Sequence, residues 1–255
     1  MLVDEMPIAT FETAIATPRS GPPRPGLQPG AQRAVDARRP QLFNVRLATS
    51  SGRRDDAGIL LRRMYAWRGY AVDPSENSAG ARVTFYAETD GELVGTMSLC
   101  LDLHGRLPAD EHFADRLAPL RRAGRRLCEP SRLAIDQGMS KRVFAALIHI
   151  SYLYAHKLHG YTDYVIEVNP RHVAFYQRML GFDMFGDERA CSRVGAPAVL
   201  LRLPLSHMGA RIREWGGRFA EPATERSFYP YFFPVREEAD ISARLAALCD
   251  GEERV

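Results

Sequence analysis

Residues 169–182 read Asn169-Pro170-Arg171-His172-Val173-Ala174-Phe175-Tyr176-Gln177-Arg178-Met179-Leu180-Gly181-Phe182, and this stretch decides the fold because its start and stop signals are both explicit. An asparagine side chain accepts from the first unpaired N–H groups of a helix, a proline suits the first helical position, and a glycine takes the left-handed conformation that ends one. The spacing predicts a helix from Pro170 to Leu180, with Val173, Tyr176 and Leu180 on one apolar stripe. Before it, Tyr164 to Val168 reads as a strand, and Phe182 to Arg189 and Ala198 to Leu203 read as strands that follow it. Strand, capped helix and returning strands are the units of a mixed α/β sheet.

Working outward, Val143 to Leu158 is apolar nearly all round, which predicts a helix packed on the sheet and ended by Gly160. Leu127 to Asp136 reads as a strand, and Leu107 to Arg126 as a polar, arginine-rich and partly helical excursion. Arg82 to Glu88 and Glu92 to Leu101 flank Asp90-Gly91, the dipeptide of a tight hairpin. Phe43 to Ala48 reads as a strand, and Asp55 to Arg68 as a helix stopped at Gly69. The order is strand, helix, three strands, helix, strand, helix, two strands.

Composition sets the limits. The chain has 255 residues, 45% hydrophobic and 25% charged, the balance of a globular protein. No apolar run approaches the length of a membrane span, and Asp4, Glu5 and Glu12 stand where a secretory signal needs positive charge, so the expected location is the cytoplasm. A net charge of +3 is too mild to suggest nucleic acid. Pro18, Pro22, Pro23, Pro25, Pro29 and Pro40 make residues 1–40 read as a disordered tail, leaving 41–205 as the main domain. Residues 206–255 read as an extension of two short helices, Ser206 to Trp215 and Glu237 to Leu248, joined by Phe228-Tyr229-Pro230-Tyr231-Phe232-Phe233-Pro234. So many aromatics are expected to cover an apolar tunnel, dock on the sheet or meet a partner. Cys100, Cys128, Cys191 and Cys249 are scattered, and His156 and His159 have no third ligand nearby in sequence, so neither disulfide nor metal is expected.

The element order, with Asn169-Pro170-Arg171-His172, Phe175-Tyr176 and Leu180-Gly181-Phe182, resembles the GNAT acyltransferase superfamily. Tyr65-Ala66-Trp67-Arg68-Gly69-Tyr70, Asp90-Gly91-Glu92-Leu93-Val94-Gly95-Thr96 and Glu129-Pro130-Ser131-Arg132-Leu133-Ala134-Ile135-Asp136 resemble the FeeM type of N-acyl amino acid synthase within it. The last of these is also similar to a strand of the acyl-homoserine lactone synthases. The resemblance covers about residues 43–205. It implies a mixed central sheet, flanked by helices, whose fourth and fifth strands splay to admit the phosphopantetheine arm of an acyl donor, either acyl carrier protein or acyl-CoA. That arm is a co-substrate, and no tightly bound cofactor is implied. An amino acid is the implied acceptor.

For the site, the resemblance places the donor's main-chain bonds at Leu133, Ala134 and Ile135, and Pro130 suggests a bulge in that strand. The turn Asp136-Gln137-Gly138-Met139-Ser140 has one glycine and opens on an acid, unlike the glycine-rich turn that cradles a pyrophosphate. This favours a carrier-protein donor with a single phosphodiester, served by Lys141 and Arg142. Arg121, Arg122, Arg125 and Arg126 are expected to present a basic surface beside that turn, or else a solvated helix face. Glu129 is the candidate base for the amine, sharing a strand face with Ser131, or a structural ion-pair partner. Tyr176 is either the proton donor to the leaving sulfur or a core residue. Arg132 would pair with the acceptor carboxylate or hold the excursion in place. Tyr65, Trp67 and Tyr70 would wall the acceptor pocket, and Asn169 is first a cap, with any acceptor contact secondary. The alternatives to an N-acyl amino acid synthase are an acyl-homoserine lactone synthase and a non-catalytic module that binds acyl carrier protein.

Overall fold

The computed structural model describes residues 7–14, 40–48, 58–60, 81–136, 138–191, 195–220 and 225–252. Eight strands, β1 (Ala9–Ala14), β2 (Pro40–Leu47), β3 (Ala81–Thr89), β4 (Glu92–Leu101), β5 (Leu127–Ile135), β6 (Asp163–Val168), β7 (Asp183–Cys191) and β8 (Ala196–Pro204), form one sheet in the order β1-β2-β3-β4-β5-β6-β8-β7. Helices α1 (Asp110–Arg122), α2 (Lys141–Tyr152), α3 (Val173–Leu180), α4 (Leu205–Trp215) and α5 (Val235–Glu252) cover it. All pairings are antiparallel except that of β5 with β6. This is a mixed α/β sheet flanked by helices, the architecture that the resemblance implies. At the β3–β4 hairpin, Asp90 (φ 51°) and Gly91 (φ 81°) both take the left-handed conformation that a two-residue turn requires.

The sheet separates two cores. The larger packs α2, α5 and the aromatic segment on one face, with Phe43, Phe85, Tyr164 and Leu201 among its buried residues. The smaller lies under α1 on the other face and contains Cys100, Phe113, Leu117, Leu127, Val165 and Leu200. Helix α1 is broken at Phe113 (φ −130°, ψ 25°). The break lets Asp110 form a bidentate pair with Arg121, eleven residues on, at 2.7 and 2.6 Å. In a straight helix those residues would stand roughly 16 Å apart, beyond the reach of one arginine. Arg121 also bonds Asp102 at 2.6 Å, so the first turn of α1 is folded back and pinned.

Both ends of the chain contribute to the fold. Ala9 to Ala14, expected in the tail, is a strand that pairs with β2, with Phe11 opposite Phe43. Ile8 and Phe11 are buried, and Phe11 stacks on Phe43 at 5.6 Å. The apolar alternation is only a few residues long and precedes a proline-rich tract, so the signal lies in the sheet edge that receives it, not in the strand. The C-terminal aromatics dock inside the larger core: Phe228, Tyr229, Phe232 and Phe233 are buried, with Phe144 and Phe228 at 4.7 Å. The Tyr229 hydroxyl donates to the Leu180 carbonyl at 2.6 Å, which ties the segment to the end of α3.

Candidate active site

The parallel strands β5 and β6 are paired only at Leu127↔Asp163 and Cys128↔Tyr164. Beyond that point β5 continues with β4 as far as Gly95↔Ile135, and β6 continues with β8 as far as Val168↔Val199. The two strands therefore splay, leaving one edge of β5 open within the sheet. The Asp102 N–H donates to the Leu127 carbonyl at 3.2 Å. By alternation, Leu127, Glu129 and Ser131 turn their backbone groups toward β4, while Pro130 turns its ring nitrogen toward the opening. A proline costs no ladder bond there.

The bulge expected at Pro130 occurs two residues later. The β4–β5 register shifts between Thr96 and Ser98, opposite Ser131 to Ala134, and Arg132 adopts a left-handed φ of 50°. That extra residue reverses the face that each later side chain takes. Glu129 and Ser131 lie on the α1 face, the first accepting from the Ala109 N–H at 2.9 Å and the second 3.7 Å from the Cys100 thiol. Leu133 and Ile135, which strict alternation would put on the same face, pack instead against the larger core. The Asp136 N–H bonds the Val94 carbonyl at 2.8 Å, so alternation turns the Ala134 backbone toward β4 and those of Leu133 and Ile135 toward the opening. Of the three residues expected to bond an extended donor, two have backbone groups facing the space such a donor would fill.

Glu129 is 4% exposed, and its bond to Ala109 holds the first turn of α1 against β5. Across the opening, His112 in the same turn faces Glu167 on β6, with Nδ1 to Oε1 at 3.2 Å. The Arg189 guanidinium bonds the His112 carbonyl and grips Asp115 at 2.6 and 2.8 Å. The turn thus bridges the two splayed strands on their polar side. On the other side, Leu133, Ile135, Val168, Val173 and Tyr176 are half-buried apolar groups at the margin of the larger core. Tyr176 packs edge-on to Phe182 at 5.9 Å and to Phe175 at 5.3 Å. Asn169 caps the short helical turn Pro170–His172, accepting from the Arg171 N–H at 3.2 Å and donating to the Pro197 carbonyl at 3.3 Å. Arg132 is half-buried on the bulge. Tyr65, Trp67 and Tyr70 lie outside the described residues.

At the far end of β5, Ser140 caps α2 by accepting from the Arg142 N–H at 3.1 Å, and its hydroxyl meets that of Thr13 at 2.9 Å. Arg142 donates to the Glu12 carbonyl at 3.0 Å and lies over the rings of Phe11 and Phe219 at 5.2 and 4.4 Å. Burial lowers its pKa from the usual arginine value. Lys141 is exposed at the same corner. The arginine cluster is not beside this turn. Arg121 to Arg126 precede β5, at its closed end, roughly 25 Å from the turn at about 3.3 Å per residue. Arg121 serves Asp102 and Asp110, and Arg125 bonds the fully buried Asp163 at 2.6 Å. Only Arg122 and Arg126 of the four are exposed. Nothing in the sequence marks Ala109, His112 or Glu167, because a main-chain amide leaves no trace there and the two side chains are 55 residues apart.

An edge open to an extended ligand, a carboxylate on one face and an apolar margin on the other suit transfer of a lipophilic acyl group to a polar acceptor. The family model for the N-acyl amino acid synthase FeeM matches residues 56–204, more than half of the chain. The chain belongs to the FeeM family of N-acyl amino acid synthases. Family membership makes the protein an acyltransferase. The solved structure of FeeM from uncultured soil microbes is 28% identical, covers 66% of this chain and 94% of its own length, and superposes with a TM-score of 0.60. An acyl-CoA N-acyltransferase from Pseudomonas aeruginosa is 13% identical over 63% of this chain and 98% of its own, with a TM-score of 0.46. The acyl-homoserine lactone synthase LasI is 15% identical over 64% of this chain and 90% of its own, with a TM-score of 0.45. No curated protein sequence matches. The FeeM span ends at the last residue of β8, so β1, β2 and the helices α4 and α5 lie outside it. Among the described residues no helix is long and apolar enough to cross a membrane.

Proposed function

We propose that the protein moves a long-chain fatty acyl group from acyl carrier protein to the α-amine of an amino acid. The observation that carries this reading is the open edge of β5, with the backbone groups of Leu133 and Ile135 turned toward the gap and Glu129 on the polar face beside it. An extended pantetheine arm adds to such an edge through main-chain bonds, and its acyl chain finds the half-buried apolar groups on the α2 side. The amine approaches from the α1 side, where Glu129 accepts its proton through a water. A peptide α-amine has a pKa of about 7.7–8.0 and that of a free amino acid is higher, so neutralising it costs roughly 1.4 kcal/mol for each unit by which its pKa exceeds the pH. Ser131 and Arg132 receive the acceptor carboxylate, and Tyr176 hands a proton to the departing thiolate.

The donor corner supports a carrier protein over coenzyme A. The N-terminus of α2 is already capped by Ser140 and covered by Thr13, and Arg142 is committed to β1 and Phe219. Lys141, exposed and with its Nζ 5.7 Å from the Tyr231 ring, is the cation best placed for phosphate, which suits one phosphodiester rather than a pyrophosphate. The test compares kcat/KM for acyl carrier protein and acyl-CoA carrying the same chain, across a panel of amino acids. Preference for the carrier protein is expected, weakened in Lys141→Glu chiefly through association rate and most at low salt. Equal kcat/KM with the two donors overturns the donor assignment.

A further inference from the structure

Among the described residues, His112, Glu167 and Cys191 come from α1, β6 and β7, and one ligating atom of each lies within 4.8 Å of the other two. We infer that these three side chains form a binding site for one divalent transition-metal ion of the zinc class. The side chains are shielded: His112 is 10% and Glu167 5% exposed, and Cys191 is buried. Imidazole, carboxylate and thiolate at one point select a borderline-soft cation, and tetrahedral zinc is the usual occupant of such mixed sites. Ligand atoms around tetrahedral zinc stand roughly 3.5 Å apart, given bonds of about 2.0–2.3 Å. The His112–Glu167 separation of 3.2 Å already meets that figure, and the thiol, within 4.8 Å of both, has at most about 1.3 Å to close.

Two further features fit. The other ring nitrogen of His112, Nε2, faces Glu111 at 3.4 Å, the carboxylate–histidine arrangement that orients an imidazole ligand with Nδ1 toward the metal. Arg189, two residues before Cys191 on β7, grips the His112 carbonyl and Asp115, so the strand that carries the thiol and the turn that carries the imidazole are held together independently of any ion. Charge also closes: a doubly charged cation with one thiolate, one carboxylate and a neutral imidazole is neutral overall, which suits a buried place. On binding, the Cys191 S–H proton leaves to solvent as the sulfur–metal bond forms, and a fourth position remains for water. The occupied site would fix the turn whose Ala109 N–H bonds Glu129. The inference does not depend on which donor or acceptor the enzyme uses.

The experiment is titration of chelator-treated full-length protein with cobalt and then zinc. One equivalent of cobalt should bind and produce a thiolate-to-metal charge-transfer band that zinc abolishes. Cys191→Ser should lose the band and weaken zinc binding at least tenfold, and Glu167→Gln should weaken zinc binding comparably while keeping the band. Absence of saturable equimolar binding overturns the site. A band that survives in Cys191→Ser also overturns it, since Cys100, Cys128 or Cys249 would then be the ligand. Should Cys191→Ser fail to fold, unchanged zinc affinity in Glu167→Gln is the overturning result.

Discussion

Replacing Phe11 with alanine tests whether β1 is part of the folded domain. Phe11 is 5% exposed, stacks on Phe43 at 5.6 Å, meets Phe233 edge-on at 5.8 Å and lies under the Arg142 guanidinium at 5.2 Å. Truncating a buried phenylalanine costs about 3–5 kcal/mol, through the lost transfer of its ring from water and the cavity left among its neighbours. The three ring and cation contacts place the cost within that range rather than below it. In a chain of this size each kcal/mol corresponds to about 2–4 °C, so the melting temperature should fall by about 6–20 °C. Urea titration and thermal unfolding followed by circular dichroism read both quantities. A change under about 1 kcal/mol is what an exposed residue gives, and it would refute the placement of β1 in the sheet.

Three other substitutions probe the site and its supports. Glu129→Gln keeps an acceptor for the Ala109 N–H and removes the base, so turnover at neutral pH should fall roughly 10²-fold with the fold intact. The deficit should shrink as pH rises toward the pKa of the amine, and a pH-independent deficit with a lowered melting temperature would make Glu129 purely structural. Arg125→Ala should cost about 1–3 kcal/mol, because Asp163 is fully buried and keeps Arg202 at 2.7 Å. Burial raises the Asp163 pKa, but bonds from Arg125, Thr162 and Arg202 outweigh it and hold the carboxyl below its usual value. That stabilisation is present above the unfolded pKa of about 3.9 and lost as pH falls through the lower folded value, so the cost of Arg125→Ala should fade in strong acid. His149 is fully buried and accepts from the Phe233 N–H through Nδ1 at 3.1 Å, which leaves Nε2 carrying the proton toward Glu238. Burial lowers its pKa, so the unfolded chain binds the extra proton and stability should fall as pH drops below about 6.5. His149→Leu should remove that slope in urea titrations at a series of pH values, and cost about 1–3 kcal/mol for the stranded amide.

The parts of the fold legible in the sequence were those with local chemistry. Asp90-Gly91 marks its hairpin because two consecutive left-handed residues are needed there, and Gly181 (φ 80°) ends α3 because a side chain is strained in that conformation. The bulge was harder: Arg132 is held in a left-handed conformation by the pairing of Ser131 and Ala134 on either side of it with β4, and nothing in an arginine announces it. Pro130 drew attention instead, although its missing N–H falls on the open side, where no ladder bond is lost. Arg121 and Arg125 looked like a surface because charge runs usually are one. Their partners Asp102 and Asp163 are distant in sequence and become neighbours only when β4, β5 and β6 are laid side by side. Glu129 stands in a strand motif that lies within one segment, whereas His112 meets Glu167 only across the splay and leaves no local mark.

Mass spectrometry of lipids from cells expressing the protein reads N-acylation of an amino acid in the product itself. Compared with cells carrying the empty vector, new species should appear whose mass and fragmentation match fatty acyl chains in amide linkage to an amino acid, and they should be reduced in Glu129→Gln. Acyl-homoserine lactones in their place, or a lipid profile unchanged while the protein is present and folded, would contradict N-acylation of an amino acid.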